Sequence, residues 1–312
     1  MQDKLEFKKL PQEINDAIAR FLPTKDLLHQ VLVSKTGSAP FFQPSLEVRR
    51  FLHHVVCGEH EKVKAMLEKN VHLLYKKGEV TDCAGRSFES ISGFEYALWA
   101  LDKDMWALML ECIPKNEEGK EIIARLLTQY KKLETQGVSY SLNGKTITGE
   151  KHFDFEETII KEWNIQIDSI NAPEPKDWNA INEQWRKGVG YAQRLLPVHV
   201  VHWYCCEIPF SPTPKFGEQH PSPTKKFYTW ITEQCEAWFH KDSKLGQDFA
   251  IYKGSRRGAH ASGHSAPRRA GGWSDLTAMK ALCEVRTNDF INLNQQLEEQ
   301  LLVENQAQAA QI

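Results

Sequence analysis

The sequence predicts a mainly α-helical protein, and three observations carry that expectation. Apolar residues recur at three- and four-residue steps through most of the 312 positions. Residues 45–116 read as two helical pairs spaced roughly 40 residues apart. Strand-like alternation stands out in one place, around Asn143-Gly144. The expected organisation is a helical hairpin over 1–44, helix pairs over 45–135 and a small β-hairpin near 138–147. A helical region over 150–300 and a flexible tail over 301–312 complete it.

The first helix starts at Pro11, whose missing N–H costs nothing in a first turn. Ile14, Ala17, Ile18, Phe21 and Leu22 then form one apolar stripe, with Asp16 and Arg20 on the other faces. Pro23 stops this helix and Thr24 is placed to cap the next. Leu27, Leu28 and Val31 make the second stripe. Two helices this short cannot bury both stripes against each other, so they need the rest of the chain or a partner. The run Thr36-Gly37-Ser38-Ala39-Pro40 breaks the helical pattern after Lys35.

In the first helical pair, Phe51 to Val56 end at Gly58, and Val63, Met66 and Leu67 stripe the following helix. Gly78 turns the chain, and Asp82-Cys83-Ala84-Gly85-Arg86 is a turn by composition. Phe94, Ala97, Leu98 and Leu101 open the second pair, and Met105, Leu108, Met109 and Cys112 continue it to Pro114. Ile123, Leu126, Leu127 and Tyr130 mark a further helix ending near Gly137. Beyond the hairpin, Asp154 is a good N-cap for a helix through Phe155, Ile159 and Trp163. Trp178, Ile181, Trp185, Val189, Ala192 and Leu196 stripe another, with a shorter helix from Val198 to Cys205. Five prolines over 209–223 make an extended loop, and Trp230, Cys235, Trp238 and Phe239 resume a helix. Lys253 to Gly272, rich in small and basic residues, reads as an exposed mobile loop or a ligand-binding one. Leu276 to about Gln300 closes the chain as a helix.

A net charge of −2 provides no global field for nucleic acid or a membrane surface. No apolar run approaches membrane-spanning length. The first residues lack the apolar core of a secretory signal peptide. Seven scattered cysteines fit a reducing compartment better than a disulfide framework.

His199, His202 and Cys206 fall on one helix face, which makes them a weak metal-ligand set without an evident fourth ligand. The plain alternative is a half-buried helix whose histidines bond nearby backbone. Cys205 or Cys206 with a distant histidine would make a thiol nucleophile, though nothing local supplies the base. Arg256-Arg257 and Arg268-Arg269, with His260, His264 and Trp273, offer donors for phosphates or an acidic partner. No cofactor motif is present, and no cofactor or nucleic-acid partner is expected.

The order Leu10-Pro11-x-Glu13-Ile14, a striped helix, Asp26-Leu27-Leu28 and Val33-Ser34-Lys35 resembles the F-box family over a tenth of the chain. That resemblance implies docking on a Skp1-type linker of a cullin ubiquitin ligase. The residues it assigns to the docking face are Leu10, Pro11, Ile14, Ile18, Leu22, Leu27, Leu28 and Val31. Phe51-Leu52-His53, Gly58-Glu59-His60 and Val63-Lys64-x-Met66-Leu67, followed by Tyr96-Ala97-Leu98, are similar to degenerate ankyrin repeats; the alternative is a plain helical bundle. Glu298, Glu299 and Glu304 resemble the glutamate-rich tail of type IV-secreted effectors. Together these resemblances imply a translocated bacterial effector delivered to the host cytosol, adapting a ubiquitin ligase to an unknown target and more adaptor than enzyme. Two other readings stay open: an effector enzyme with a site in 150–290, and a binding scaffold with no link to ubiquitin.

Overall fold

The computed structural model describes residues 10–33, 39–261, 265–266 and 271–309. Helix α1 spans Gln12–Phe21, α2 Thr24–Val33 and α3 Ala39–Val56. Positions 36–38 of the expected break lie outside the described residues, and α3 begins at once behind them. Ala19, Leu27 and Phe42 are fully buried where the three helices meet, with Ile18, Leu22, Val31 and Leu46 packed around them. This small core is separate from the main one.

Two helix pairs follow: α3 with α4 (His60–Leu67), then α5 (Gly93–Trp99) with α6 (Lys103–Glu111). The pairs stack, α3 on α5 and α4 on α6. Each is joined by one residue of positive φ, Gly58 at 66° and Leu101 at 56°. Gly58 is needed for space too, because a Cβ there would meet Val198 and His202 at 2.7 and 2.8 Å. Helix α5 starts with a capping box, Ser92 and Glu95 each holding the other's backbone N–H. Asp102 accepts from Met105 N at the start of α6.

Between the pairs the chain leaves as a β-ribbon, β1 (Lys77–Thr81) and β2 (Ser87–Ser92). After α7 (Glu117–Gln136), β3 (Val138–Leu142) and β4 (Lys145–Glu150) form the hairpin expected at Asn143-Gly144. Ser87 pairs with Ser141, so the ribbons join in one antiparallel sheet of order β1-β2-β3-β4. Asp154 caps as expected, its carboxylate accepting from Glu157 N at 2.9 Å. Helices α8 (Lys161–Asn171), α9 (Trp178–Glu183), α10 (Gly190–Arg194) and α11 (Val198–Cys205) follow. Strands β5 (Lys226–Thr229), β6 (Gln234–Ala237), β7 (Ile251–Tyr252) and β8 (His260–Ala261) make a second sheet of order β6-β5-β8-β7. The 39-residue α12 (Gly271–Ala309) returns across α7 and α8. Tyr130 on α7 stacks on Phe290 of α12 and donates to its carbonyl at 3.1 Å.

The expectation of a mainly α protein with one small hairpin is therefore wrong. Among the described residues the strands build two four-stranded sheets, and the architecture is an α/β mixture. The helix expected through Trp230 and Cys235 is the β5–β6 hairpin. Phe227 and Thr229 point into the core while Lys226 is exposed and Tyr228 half-buried, a two-residue alternation too short to stand out. The turn expected at Gly78 is strand β1. The loop expected from Lys253 is anchored rather than exposed at its start: Lys253, Ala259 and Ala261 are buried. At the chain end, α12 runs to Ala309, and 310–312 lie outside the described residues. One continuous hydrophobic core reaches from Val48 to Leu297, crossing the boundary expected between residues 135 and 150. Among the described residues, no helix is long and apolar enough to cross a membrane.

Candidate functional site

Arg49 ties the N-terminal hairpin to α3 beside the apolar packing of Phe42 and Leu46. Arg49 of α3 is buried, and its guanidinium donates to the carbonyls of Leu22 at 2.7 Å and Ala19 at 3.3 Å. It donates to Thr24 Oγ1 at 2.8 Å and pairs with Glu79 of β1 at 3.2 Å. Those carbonyls end α1, where a cation meets the negative end of the helix dipole. Thr24 opens α2 instead of capping it: Pro23 carbonyl accepts from Asp26 N and Leu27 N, and the Thr24 hydroxyl serves Arg49. Arg49→Ala is expected to free four acceptors and destabilise the hairpin by about 1–3 kcal/mol. Hydrogen exchange should accelerate over 12–33 and stay unchanged in α7.

The structure divides the eight docking residues expected from the sequence. Leu27 is wholly buried in the small core that the hairpin shares with α3. Ile18, Leu22 and Val31 are half-buried and pack against that core. Leu10 is half-buried, while Pro11 is exposed. Ile14 and Leu28 remain 47% and 44% exposed, and Leu32, which the sequence reading passed over, is 79% exposed. Leu32 follows Leu28 by four residues, so they share one side of α2. That spacing is legible in the sequence, but Leu32 falls beside the stripe that faces the core, so periodicity alone does not single it out.

Beside the hairpin lies a cavity of about 940 Å³, lined among others by Ala19, Pro23, Pro44, Arg49, Tyr75 and Lys77. Its floor is the β1–β2 ribbon, and a second cavity of about 320 Å³ continues from it past Lys77, Glu89 and Ser90. Lys77 pairs with Glu95 at 2.5 Å and Arg49 with Glu79, so the cleft carries charges of both signs on its ribbon floor, facing an apolar wall of Ala19, Pro23, Pro44 and Val48. Its size suits a short peptide segment or a large side chain.

The chemistry-bearing residues of the C-terminal half go elsewhere. His199 is enclosed, and its Nε2–H donates to Ala100 carbonyl at 2.7 Å. His202 is equally enclosed, with no hydrogen-bond partner for Nε2 among the described residues. Cys206 Sγ points to Trp203 carbonyl at 3.3 Å and lies 3.4 Å from Lys253 Nζ. The weak metal set is thus not brought together, and no group of three His, Cys, Asp or Glu among the described residues is placed to hold an ion. Neither histidine lines the two cavities. Burial pushes the Cys205 thiol up, away from nucleophilic use.

Lys253, missed as a site by sequence reading, is fully buried on the C-terminus of α11. Its Nζ donates to Trp203 carbonyl at 2.5 Å and Cys206 carbonyl at 2.8 Å, and faces the Phe210 ring. The buried Asp275 carboxylate accepts from Lys253 N and Gly254 N at 2.9 Å. This is a structural cation at a helix C-terminus. Of the basic loop, Arg256 lies over Tyr252 and His260 stacks with Trp230, while 264, 268 and 269 lie outside the described residues. Trp273 is half exposed. Glu298 pairs with Lys131 of α7 at 2.9 Å; the Glu304 side chain is outside the description.

Comparison with known proteins adds kinship. Residues 158–297 match the family model described as the CBUA0006 C-terminal domain. The chain is similar to the uncharacterized protein CBUA0006 of Coxiella burnetii (strain RSA 493 / Nine Mile phase I). The two are 33% identical over 325 residues, covering 95% of this chain and 93% of the relative. No solved structure matches.

Proposed function

The chain belongs to the family of the Coxiella burnetii protein CBUA0006, and from that premise we propose that it is a protein-interaction adaptor acting as a translocated effector. Its N-terminal hairpin docks on a Skp1-type linker of a host cullin ubiquitin ligase, and the cleft beside the hairpin receives a segment of the target. One observation carries this reading: Ile14, Leu28 and Leu32 stay exposed on a hairpin seated on α3 through a small shared core and tethered by Arg49. An apolar face held rigidly in water loses little entropy on docking. The F-box-like order of residues supports the choice of linker, and a relative in an intracellular pathogen fits an effector.

The test is capture of purified Skp1 by the full-length protein. The wild type is expected to retain the linker. Ile14→Asp/Leu28→Asp should weaken binding about 30- to 1,000-fold, since two interface side chains of this size are worth about 1–2 kcal/mol each. Both positions are exposed, so the melting temperature should be unchanged. A wild type that fails to bind, or a double variant that binds as tightly, ends the proposal.

A further inference from the structure

A pair of thiols meets where the end of α3 faces the β1–β2 turn. Cys57 follows the last residue of α3, and Cys83 sits inside the turn between the strands. Their sulfurs are 3.7 Å apart, in hydrogen-bond contact. Both residues are half-buried.

Each sulfur is held by a rigid frame. The turn is closed by Asp82, whose carboxylate accepts from Ala84 N at 3.0 Å and Arg86 N at 2.8 Å. Asp82 N in turn donates to Arg86 carbonyl at 2.9 Å. Cys83 Sγ lies 3.7 Å from Val56 carbonyl. On the other side, Cys57 carbonyl accepts from Lys225 Nζ at 3.0 Å. The Cys57 sulfur has His53 one helical turn back, at 3.8 Å from its Nε2. A disulfide needs about 2.05 Å between sulfurs, so the pair closes with a further approach of about 1.7 Å, a side-chain motion.

We propose that Cys57 and Cys83 are a peroxide-reactive dithiol, Cys57 as the attacking sulfur and Cys83 as the resolving one. The Cys57 thiolate attacks one oxygen of a hydroperoxide; the S–O bond forms as the O–O bond breaks, and the departing hydroxide takes a proton to become water. Cys57 is then a sulfenic acid, oxidised by two electrons. The Cys83 thiol gives up its proton and its sulfur attacks the Cys57 sulfur, forming S–S as S–O breaks and expelling a second water. One hydrogen peroxide is reduced to two waters, and two thiols become a disulfide. The bond ties the end of α3 to the ribbon turn, and a dithiol reductant restores the pair.

The environments of the two thiols suit these roles. The hydrogen bond from Cys83 holds Cys57 down at about 6, helped by the charges of His53 and Lys225 and opposed by burial and Glu59. The same contact, together with burial, pushes Cys83 up. A thiol held low carries more thiolate near pH 6 than an ordinary one, and the weaker nucleophilicity of a low-pKa thiolate gives back only part of that gain.

The experiment treats the reduced full-length protein with hydrogen peroxide at pH 6, blocks remaining thiols with N-ethylmaleimide and identifies the digested peptides by mass spectrometry. A Cys57–Cys83 linked peptide pair, lighter by two hydrogens, is expected before oxidation of the exposed Cys235. Cys83→Ser should leave Cys57 as a sulfenic acid trapped by dimedone, and Cys57→Ser should leave Cys83 a free thiol. Absence of the linked pair in the wild type while Cys235 oxidises overturns the proposal. So does oxidation of Cys83 in Cys57→Ser at the wild-type rate. Neither result bears on linker binding, which is read separately.

Discussion

Arg86→Met is expected to cost the fold about 3–5 kcal/mol, the usual penalty for stripping one partner from a buried ion pair. Arg86 and Asp82 are both almost completely buried, and the guanidinium pairs with the Asp82 carboxylate at 3.2 Å. A second arm donates to Leu195 carbonyl at 2.6 Å, joining the β1–β2 turn to the end of α10. The cation faces the rings of Trp99, Tyr140 and Phe153 at 5.2 to 5.7 Å, and Tyr96 hydroxyl donates to Asp82. Methionine fills much of the volume, so the loss isolates charge and hydrogen bonds from packing. What it leaves behind is a buried carboxylate with its counter-ion gone. Urea unfolding measures the loss, and Arg86→Met/Asp82→Asn should recover a substantial part of it. A single variant as stable as wild type would mean that water reaches Asp82.

The second large effect is acid sensitivity through the enclosed histidines. Burial, aided by the charge of Arg286, holds His199 down at about 3; burial holds His202 down at about 4. Both stay neutral in the folded protein at pH 5, whereas an unfolded imidazole titrates near ~6.5. Below that value the unfolded state binds protons that the native state refuses. The stability of each neutral histidine is therefore fully present above ~6.5 and is lost as pH falls, at up to about 1.4 kcal/mol per pH unit. Asp275 acts in the opposite sense. Burial raises its carboxyl to about 7, so the native state gains a proton first between there and ~4, offsetting about one histidine. The difference between wild type and His202→Met isolates one residue. From pH 6.5 to 5.0 the wild type should lose about 1.5 kcal/mol more than the variant in urea unfolding. Equal losses would show that His202 titrates in the native state.

Several elements were legible because their cause is local. The α1–α2 hairpin, with Pro11 and Pro23 bounding a striped helix, lies where periodicity puts it. The helix pairs around Gly58 and Leu101, the hairpin at Asn143-Gly144 and the Asp154 cap do likewise. The second sheet was not legible. Its strands have two to four residues, and β5 pairs in parallel with β8, thirty residues on, through Tyr228 and His260. Such short strands leave no period to read, and a pairing made over that distance leaves no turn signal. The docking face was half legible. Spacing identifies both apolar stripes, but only packing separates Leu27, which is enclosed, from Leu28, which is not.

By itself the sequence determined the helix boundaries at Pro11, Pro23, Gly58 and Asp154, the apolar stripes of those helices and the turn at Asn143-Gly144, because these follow from neighbours a few residues apart. The tertiary structure alone decided which apolar residues stay in water, which histidines are shut away and which thiols meet. Arg49 reaches α1 and α2, Arg86 reaches Leu195, and Cys57 reaches Cys83. Each contact spans more than twenty residues of chain, and burial and charge pairing are properties of the whole packed molecule.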